Sequence, residues 1–268
     1  MKTVAETRGA ATFRTSAEAY DRHIGRYGPA LAHALVEPAN VSPGQRALDV
    51  GCGPGALTAV LSEVLGPDRV SAIDPSQPFA GACAERLPGV DVRVGSAEAL
   101  PFADHSFDVT LAQLVVNFMG DPPVGVGEMR RVTRPGGTVA AAVWDYGGEM
   151  TLLRRYWDAA VSLDPDAADR DEGRSMPYCT PEELEGLWRD AGLREPAVSA
   201  LVIDAEYVGF DDLWRSLGHG SGPSTAYAVS LPNEHRARLR DELRRRLGVG
   251  EEPFRLIARA WGVAGTAP

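Results

Sequence analysis

The sequence predicts an α/β fold: a parallel sheet with helices on both faces. Three observations carry this. Over residues 1–145, short apolar runs of strand length alternate with helical stretches, the pattern of a parallel sheet covered on both sides. Residues 48–55, "LDVGCGPG", set Gly51, Gly53 and Gly55 directly behind an apolar run. Acidic residues, Asp49 and Asp74, stand at the ends of the first two runs, where ligands of open α/β sheets bind.

Taken in order, residues 16–37 read as helix with a break near Gly28-Pro29. Residues 47–50 form a short apolar run ended by glycine, a buried strand by length and flanks. Residues 56–65 are the helix that follows, and residues 70–73 a second strand closed by Asp74-Pro75. Residues 76–87 are helical and residues 90–94 a third strand. A loop leads to a fourth strand at 107–112, then a helix at 124–132. The Arg134-Pro135-Gly136-Gly137 stretch is a strong turn signal before a fifth strand at 138–144.

The second half is less regular. Residues 151–163 and 181–191 read as helices, joined by the acidic "DPDAADRDEG", which reads as a mobile surface loop. Residues 198–208 alternate like a strand, and 254–263 form a last strand. Between them lie residues 211–217, a glycine-rich "GHGSGP" and an Arg-rich helix at 231–247. No repeat or linker marks a second domain, so residues 1–268 are expected to form one.

Composition excludes several function classes. The net charge of −10 opposes tight binding to nucleic acid or anionic membranes, which require a positive footprint. The basic run at 236–246 is interrupted by Asp241 and Glu242 and reads as a solvated helix face. Cys52, Cys83 and Cys179 lack metal-type spacing and fit a reducing compartment. With no signal peptide and no membrane span legible, the expected location is cytoplasmic. The only lysine is Lys2. That removes the P-loop, which needs Gly-Lys-Ser/Thr, and pyridoxal enzymes, which need a Schiff-base lysine. It also removes dehydrogenases built on a Tyr-x-x-x-Lys pair.

A glycine turn serves a dinucleotide, a nucleoside triphosphate or a sulfonium nucleoside, so its surroundings must decide. The spacing Gly51-x-Gly53-x-Gly55 departs from the dinucleotide Gly-x-Gly-x-x-Gly. A carboxylate at position 49 repels a pyrophosphate by about 1 kcal/mol even when solvated, and suits a ligand with an ammonium and a sulfonium. Asp74 can accept from both ribose hydroxyls.

The segments "ALDVGCGPGALT", "AIDPS", "GSAEALPFADHSFDVTLA" and "EMRRVTRPGGTVAAAVW" follow in that order over residues 40–145. This resembles a class I S-adenosylmethionine-dependent methyltransferase of the small-molecule, type 11-like kind. The resemblance implies a Rossmann-like, mostly parallel sheet of seven strands with the last antiparallel. It implies an N-terminal helical lid and a helical cap before the last strand, over residues 1–39 and about 209–250. It also implies S-adenosylmethionine as cofactor, with S-adenosylhomocysteine as its product.

By the same resemblance, Asp49, Gly51, Gly53 and Gly55 hold the methionine part, and Asp74 takes the ribose. Pro75 and Ser76 flank the adenine, whose edge meets Ser96, Ala97 and Glu98. This chain carries Ser96 where many relatives carry Asp. Gln113 contacts the methionine carboxylate or amine, Leu114 lies beneath the sulfonium, and Tyr20 sits on a helix closing over the cofactor.

Methyl transfer from a sulfonium needs orientation and exclusion of water more than chemical activation, and a base only where the nucleophile must lose a proton. Among five histidines, His105 and His235 read as surface residues. His219, in the cap, is the first candidate for general base. His23, one helical turn from Tyr20 and Tyr27, is the second. Tyr27, Asn117, Trp144, Tyr146, Met176, Tyr178 and Trp214 are candidates for the acceptor wall, and such a wall rewards a planar or apolar partner. The expected function is methyl transfer to a small metabolite by a monomer or homodimer, with no metal, nucleic acid or membrane partner. The alternatives are a non-catalytic S-adenosylmethionine-binding protein and a nicotinamide-dependent oxidoreductase.

Overall fold

The computed structural model describes residues 17–218 and 222–268. Its centre is a seven-stranded sheet in the order β3-β2-β1-β4-β5-β7-β6. The strands are β1 (Ala47–Val50), β2 (Val70–Asp74), β3 (Asp91–Val94), β4 (Phe107–Gln113), β5 (Thr133–Trp144), β6 (Arg194–Tyr207) and β7 (Phe254–Thr266). The first five pair in parallel. β7 runs antiparallel to both β5 and β6.

The helices are α1 (Ala17–Arg22), α2 (Gly28–Val36), α3 (Ala56–Leu65), α4 (Gln77–Arg86), α5 (Pro122–Val132), α6 (Thr151–Leu163), α7 (Glu172–Ser175), α8 (Pro181–Asp190), α9 (Phe210–Leu217), α10 (Pro223–Ser230) and α11 (Asn233–Leu247). Their placement follows from handedness. The steps β1 to β2 and β4 to β5 proceed in opposite directions along the sheet. Right-handed crossovers therefore carry α3 and α5 to opposite faces. α2 packs on α3, β5 and β6, whereas α5 packs on β4, β5 and α8. The direction reverses between β1 and β4, and a crevice opens at the strand tips there. No described helix is long and apolar enough to cross a membrane.

Each central strand is apolar because both faces are covered. All four residues of β1 are buried, as are all five of β2. β3, at one edge, is mostly exposed. The core is continuous from α2 through β1, β4 and β5 to α6 and α8, and includes Tyr156, Trp157 and Trp188.

Three expectations are corrected. The Arg134–Gly137 turn is not a break before β5 but an irregularity within it. Thr133 pairs with Phe107 and Thr138 with Val109, so the register shifts across the turn, as a bulge allows. The acidic segment is not a loose loop. Residues Pro165–Arg170 form a 3-10 helix, with Ala167 buried. Asp171 caps α7 through the Gly173 N–H and is tied to Arg154 at 2.5 Å. A charged sequence gave no local sign of this, because its partners stand on α6. The helical break before α2 also falls earlier, at His23, and a 3-10 turn Ile24–Tyr27 leads into Gly28.

Candidate active site

The glycine turn leaves β1 and is held against β2 by the Gly51 N–H and the Cys52 N–H, both donating to the Ile73 carbonyl. Gly51, Gly53 and Gly55 all have positive φ, at 74°, 53° and 103°, which glycine adopts without steric cost. They differ in their surroundings. A Cβ on Gly51 would stand 2.4 Å from Val115 Cγ2, and one on Gly55 3.0 Å from Cys83 Sγ. One on Gly53 would meet nothing within 4 Å, so at Gly53 the turn faces open space. Gly51→Ala should therefore cost about 1–3 kcal/mol through strain and overlap. Urea unfolding measures this, and an unaltered midpoint would contradict the close approach.

Asp74 closes β2 and organises the turn. Its Oδ2 accepts from the Gly53 N–H and its Oδ1 from the Ser76 N–H, each at 2.8 Å. Burial raises its pKa, against the lowering by these two bonds. Ionised, the carboxylate retains lone pairs for further donors.

Beyond the turn lies a cavity of about 310 Å³. Tyr20, Gly51, Gly53, Asp74, Pro75, Ser76, Ser96, Ala97, Glu98, Gln113 and Leu114 all line it, together with Phe79, Val115, Phe118, Met119 and Gly120. Of the residues assigned to the cofactor from sequence, Asp49 and Gly55 stand behind this wall. Gly55 begins α3 and packs close to α4. Asp49 is fully buried and accepts from Thr58 Oγ1 at 2.6 Å. Burial pushes its carboxyl up to about 7, opposed by the Thr58 bond.

Glu98 braces the far wall. Its Oε1 accepts from the Gly120 N–H at 2.7 Å, and Ser96 Oγ donates to its Oε2. Burial pulls its pKa upward, but these bonds outweigh it and hold the carboxyl below its usual value. Gln113, at the tip of β4, donates from Nε2 to the Gly28 carbonyl at 3.1 Å. Its buried Oε1 has no partner among the described residues. Buried acceptors of this kind call for a donor. An unpartnered amide oxygen, a carboxylate at the second strand tip and an open glycine together fit a nucleoside with a cationic tail.

Leu114, next along the chain, has φ of 62°, a strained value for a residue other than glycine. It lines the large cavity and also a second, smaller chamber of about 30 Å³. Tyr20 and Phe118 are likewise shared by the two. Trp144, Tyr146, Ile24, Leu153 and Pro223 supply most of the chamber's apolar surface, and His23, Glu172 and Ser224 its polar groups.

His23 is 1% exposed. Its Nδ1 lies 3.3 Å from Ser216 Oγ, whose own hydroxyl donates to the Leu213 carbonyl at 2.7 Å. The Ser216 proton is therefore committed, and His23 Nδ1–H must be the donor. The neutral ring then carries its lone pair on Nε2. That atom is buried without a partner among the described residues. Burial, and secondarily Arg26, lowers the His23 pKa to about 4. At neutral pH the imidazole is an uncharged acceptor among the residues that line the smaller chamber.

The other proposed wall residues are distributed differently. Tyr27 is core, its hydroxyl 3.0 Å from that of Tyr207 and its ring edge-on to Trp144. Asn117 is buried and donates to Met176 Sδ at 3.6 Å, outside the chamber's lining. Tyr178 and Trp214 are partly buried and pack on the core. His219 lies outside the described residues. Sequence reasoning missed Glu172 and Ser224. Glu172 stands in the acidic segment, 4% exposed, with Trp157 Nε1 donating to its Oε2 at 2.5 Å. Burial pushes its carboxyl up to about 7, opposed by the indole bond.

A buried carboxyl with a raised pKa favours the fold only while protonated. Its contribution is complete below its unfolded pKa and is lost as pH rises through about 7. Wild-type protein should therefore lose on the order of 2 kcal/mol relative to Glu172→Gln between pH 5 and pH 8. Urea unfolding of both at the two pH values reads this directly; parallel changes would refute it.

Comparison with known proteins now bears on the site. A family model described as "Methyltransferase domain" matches residues 48–141. A demethylmenaquinone methyltransferase of Renibacterium salmoninarum is 32% identical over 190 residues, 69% of this chain and 75% of that one. The chain belongs to the class I S-adenosylmethionine-dependent methyltransferase family. S-Adenosylmethionine is accordingly this methyltransferase's cofactor. A probable phthiotriol/phenolphthiotriol dimycocerosates methyltransferase 2 of Mycobacterium ulcerans is 40% identical over 114 residues, 42% of this methyltransferase and 44% of that protein. Two of the curated relatives are spanned to less than half their length, 37% and 44%. The fold is shared with Haemonchus contortus Phospholethanolamine N-methyltransferase 2, at a TM-score of 0.55 and 15% identity, covering 88% of this methyltransferase and 52% of that chain. That structure is a complex with phosphomonomethylethanolamine and S-adenosylhomocysteine.

Proposed function

We propose that this methyltransferase binds its cofactor in the larger cavity and methylates a small-molecule acceptor held in the smaller chamber. The observation that carries this is the meeting of the two spaces at Tyr20, Leu114 and Phe118, with His23, whose Nε2 has no partner among the described residues, in the chamber's lining. When bound, the cofactor supplies a methyl group already activated by its sulfonium. The chain's residues position and desolvate. Asp74 receives the ribose hydroxyls, and Gly53 leaves room for the methionine backbone. Gln113 Oε1 accepts from the ammonium, while Asp49 contributes negative charge from behind the turn. Pro75, Ser76, Ser96 and Ala97 enclose the adenine.

His23 Nε2 takes the proton of a hydroxyl or N–H nucleophile as its lone pair attacks. Trp144, Tyr146 and Phe118 offer aromatic faces, which favour a planar or apolar acceptor. An apolar cavity of about 150 Å³ admits benzene, so at about 30 Å³ a ring enters only as a wall withdraws. α1 and the start of α10 are the separately attached walls. The test has two arms. Calorimetry with S-adenosylhomocysteine should show one site, and a panel of metabolites with methyl-labelled cofactor should yield a labelled product. Binding without transfer to any member would favour a non-catalytic cofactor-binding protein.

A further inference from the structure

Glu172 has no explanation in the fold. It is a nearly fully buried carboxyl that, among the described residues, forms no ion pair. Neighbouring Arg154 instead binds Asp171, at 2.5 and 3.1 Å. Isolating a carboxyl from water is costly unless its hydrogen-bonding capacity is used. The indole of Trp157 uses part of it. A carboxylate offers about four acceptor positions, so capacity remains for a further donor. Glu172 and Ser224 line the chamber, as does His23. His23 comes from the N-terminal helical region and Glu172 from the segment between β5 and β6. The chamber thus carries three polar side chains from separate segments on an otherwise mostly apolar lining.

We propose that Glu172 determines acceptor specificity, and that the acceptor bears a hydroxyl, N–H or ammonium donor in addition to the atom that is methylated. This rests on the reading of the chamber as the acceptor site. An acceptor with such a donor completes the hydrogen bonding of the carboxyl. One with a methyl group in its place leaves the carboxyl buried and underused. A site built to bond a donor rejects the analogue lacking it far more strongly than an apolar pocket rejects a missing methylene.

Ethylbenzene, benzyl alcohol and benzylamine share one skeleton and differ in a terminal methyl, hydroxyl or ammonium. Their dissociation constants are to be measured by ligand-observed NMR on protein saturated with S-adenosylhomocysteine. Wild-type protein should bind at least one donor-bearing probe ten times more tightly than ethylbenzene. Glu172→Gln should reduce that ratio to threefold or less, with affinity for S-adenosylhomocysteine kept within twofold. Should that variant not fold, Trp157→Phe removes the indole donor and should widen the ratio; an unchanged or narrower one overturns the proposal. Binding of all three probes without preference, or a preference that survives Glu172→Gln, overturns it while leaving the chamber as the acceptor site. Binding of none overturns both.

Discussion

Replacing Asp74 by Ala should raise the dissociation constant for S-adenosylhomocysteine by at least tenfold, or about 1.4 kcal/mol. Three losses combine. The Gly53 N–H and the Ser76 N–H lose their acceptor, each bond contributing about 1 kcal/mol. The glycine turn is freed from the tip of β2, and the ribose loses a carboxylate. Gly53→Val should act to the same degree by another route, since it fills the open space and forces a β-branched residue to φ of 53°. Calorimetric titration measures both. If both variants bound as tightly as wild type, the cavity would not be the cofactor site.

Replacing His23 by Ala should slow transfer to an acceptor with a proton-bearing nucleophile by about 100-fold, while cofactor affinity changes less than twofold. The pH profile separates a base from a wall. A histidine with the ordinary pKa loses about tenfold in free base by pH 5.5. With its pKa lowered to about 4, His23 should give a rate flat from pH 5 to 8 on its own account. Glu172, near 7, titrates in that window, so the profile is best taken in Glu172→Gln. A rate that falls tenfold at pH 5.5 in that background would oppose the assignment. His219→Ala, run in parallel, tests the other histidine proposed as base. A loss there and none at His23 would transfer the role.

The cofactor half was legible because its signals are local. Each strand tip announces itself by a glycine or an acid after an apolar run, and the crevice is made of consecutive residues at those tips. The limits of β1, α3 and α6 match those read from the sequence. The acceptor half was less legible because its contacts are remote. Glu172 meets Trp157 and Ser224 across separate segments, and no periodicity marks a buried acid in "DPDAADRDEG". Aromatic spacing singled out Trp144 and Tyr146, which line the smaller chamber, but could not distinguish them from Tyr27, whose hydroxyl is satisfied by Tyr207 deep in the core. The tautomer of His23 depends on Ser216, 193 residues away.

Among the described residues, the two spaces share only three side chains, Tyr20, Leu114 and Phe118. Everything else in the larger one comes from residues 51–120. Most of the smaller one is drawn from 144–172 and 222–224. On the proposed reading of the two spaces, partner choice and donor supply are encoded in separable stretches of polypeptide. Exchanging the latter stretches with those of a sibling enzyme would retarget the catalyst while leaving its fuel unaltered.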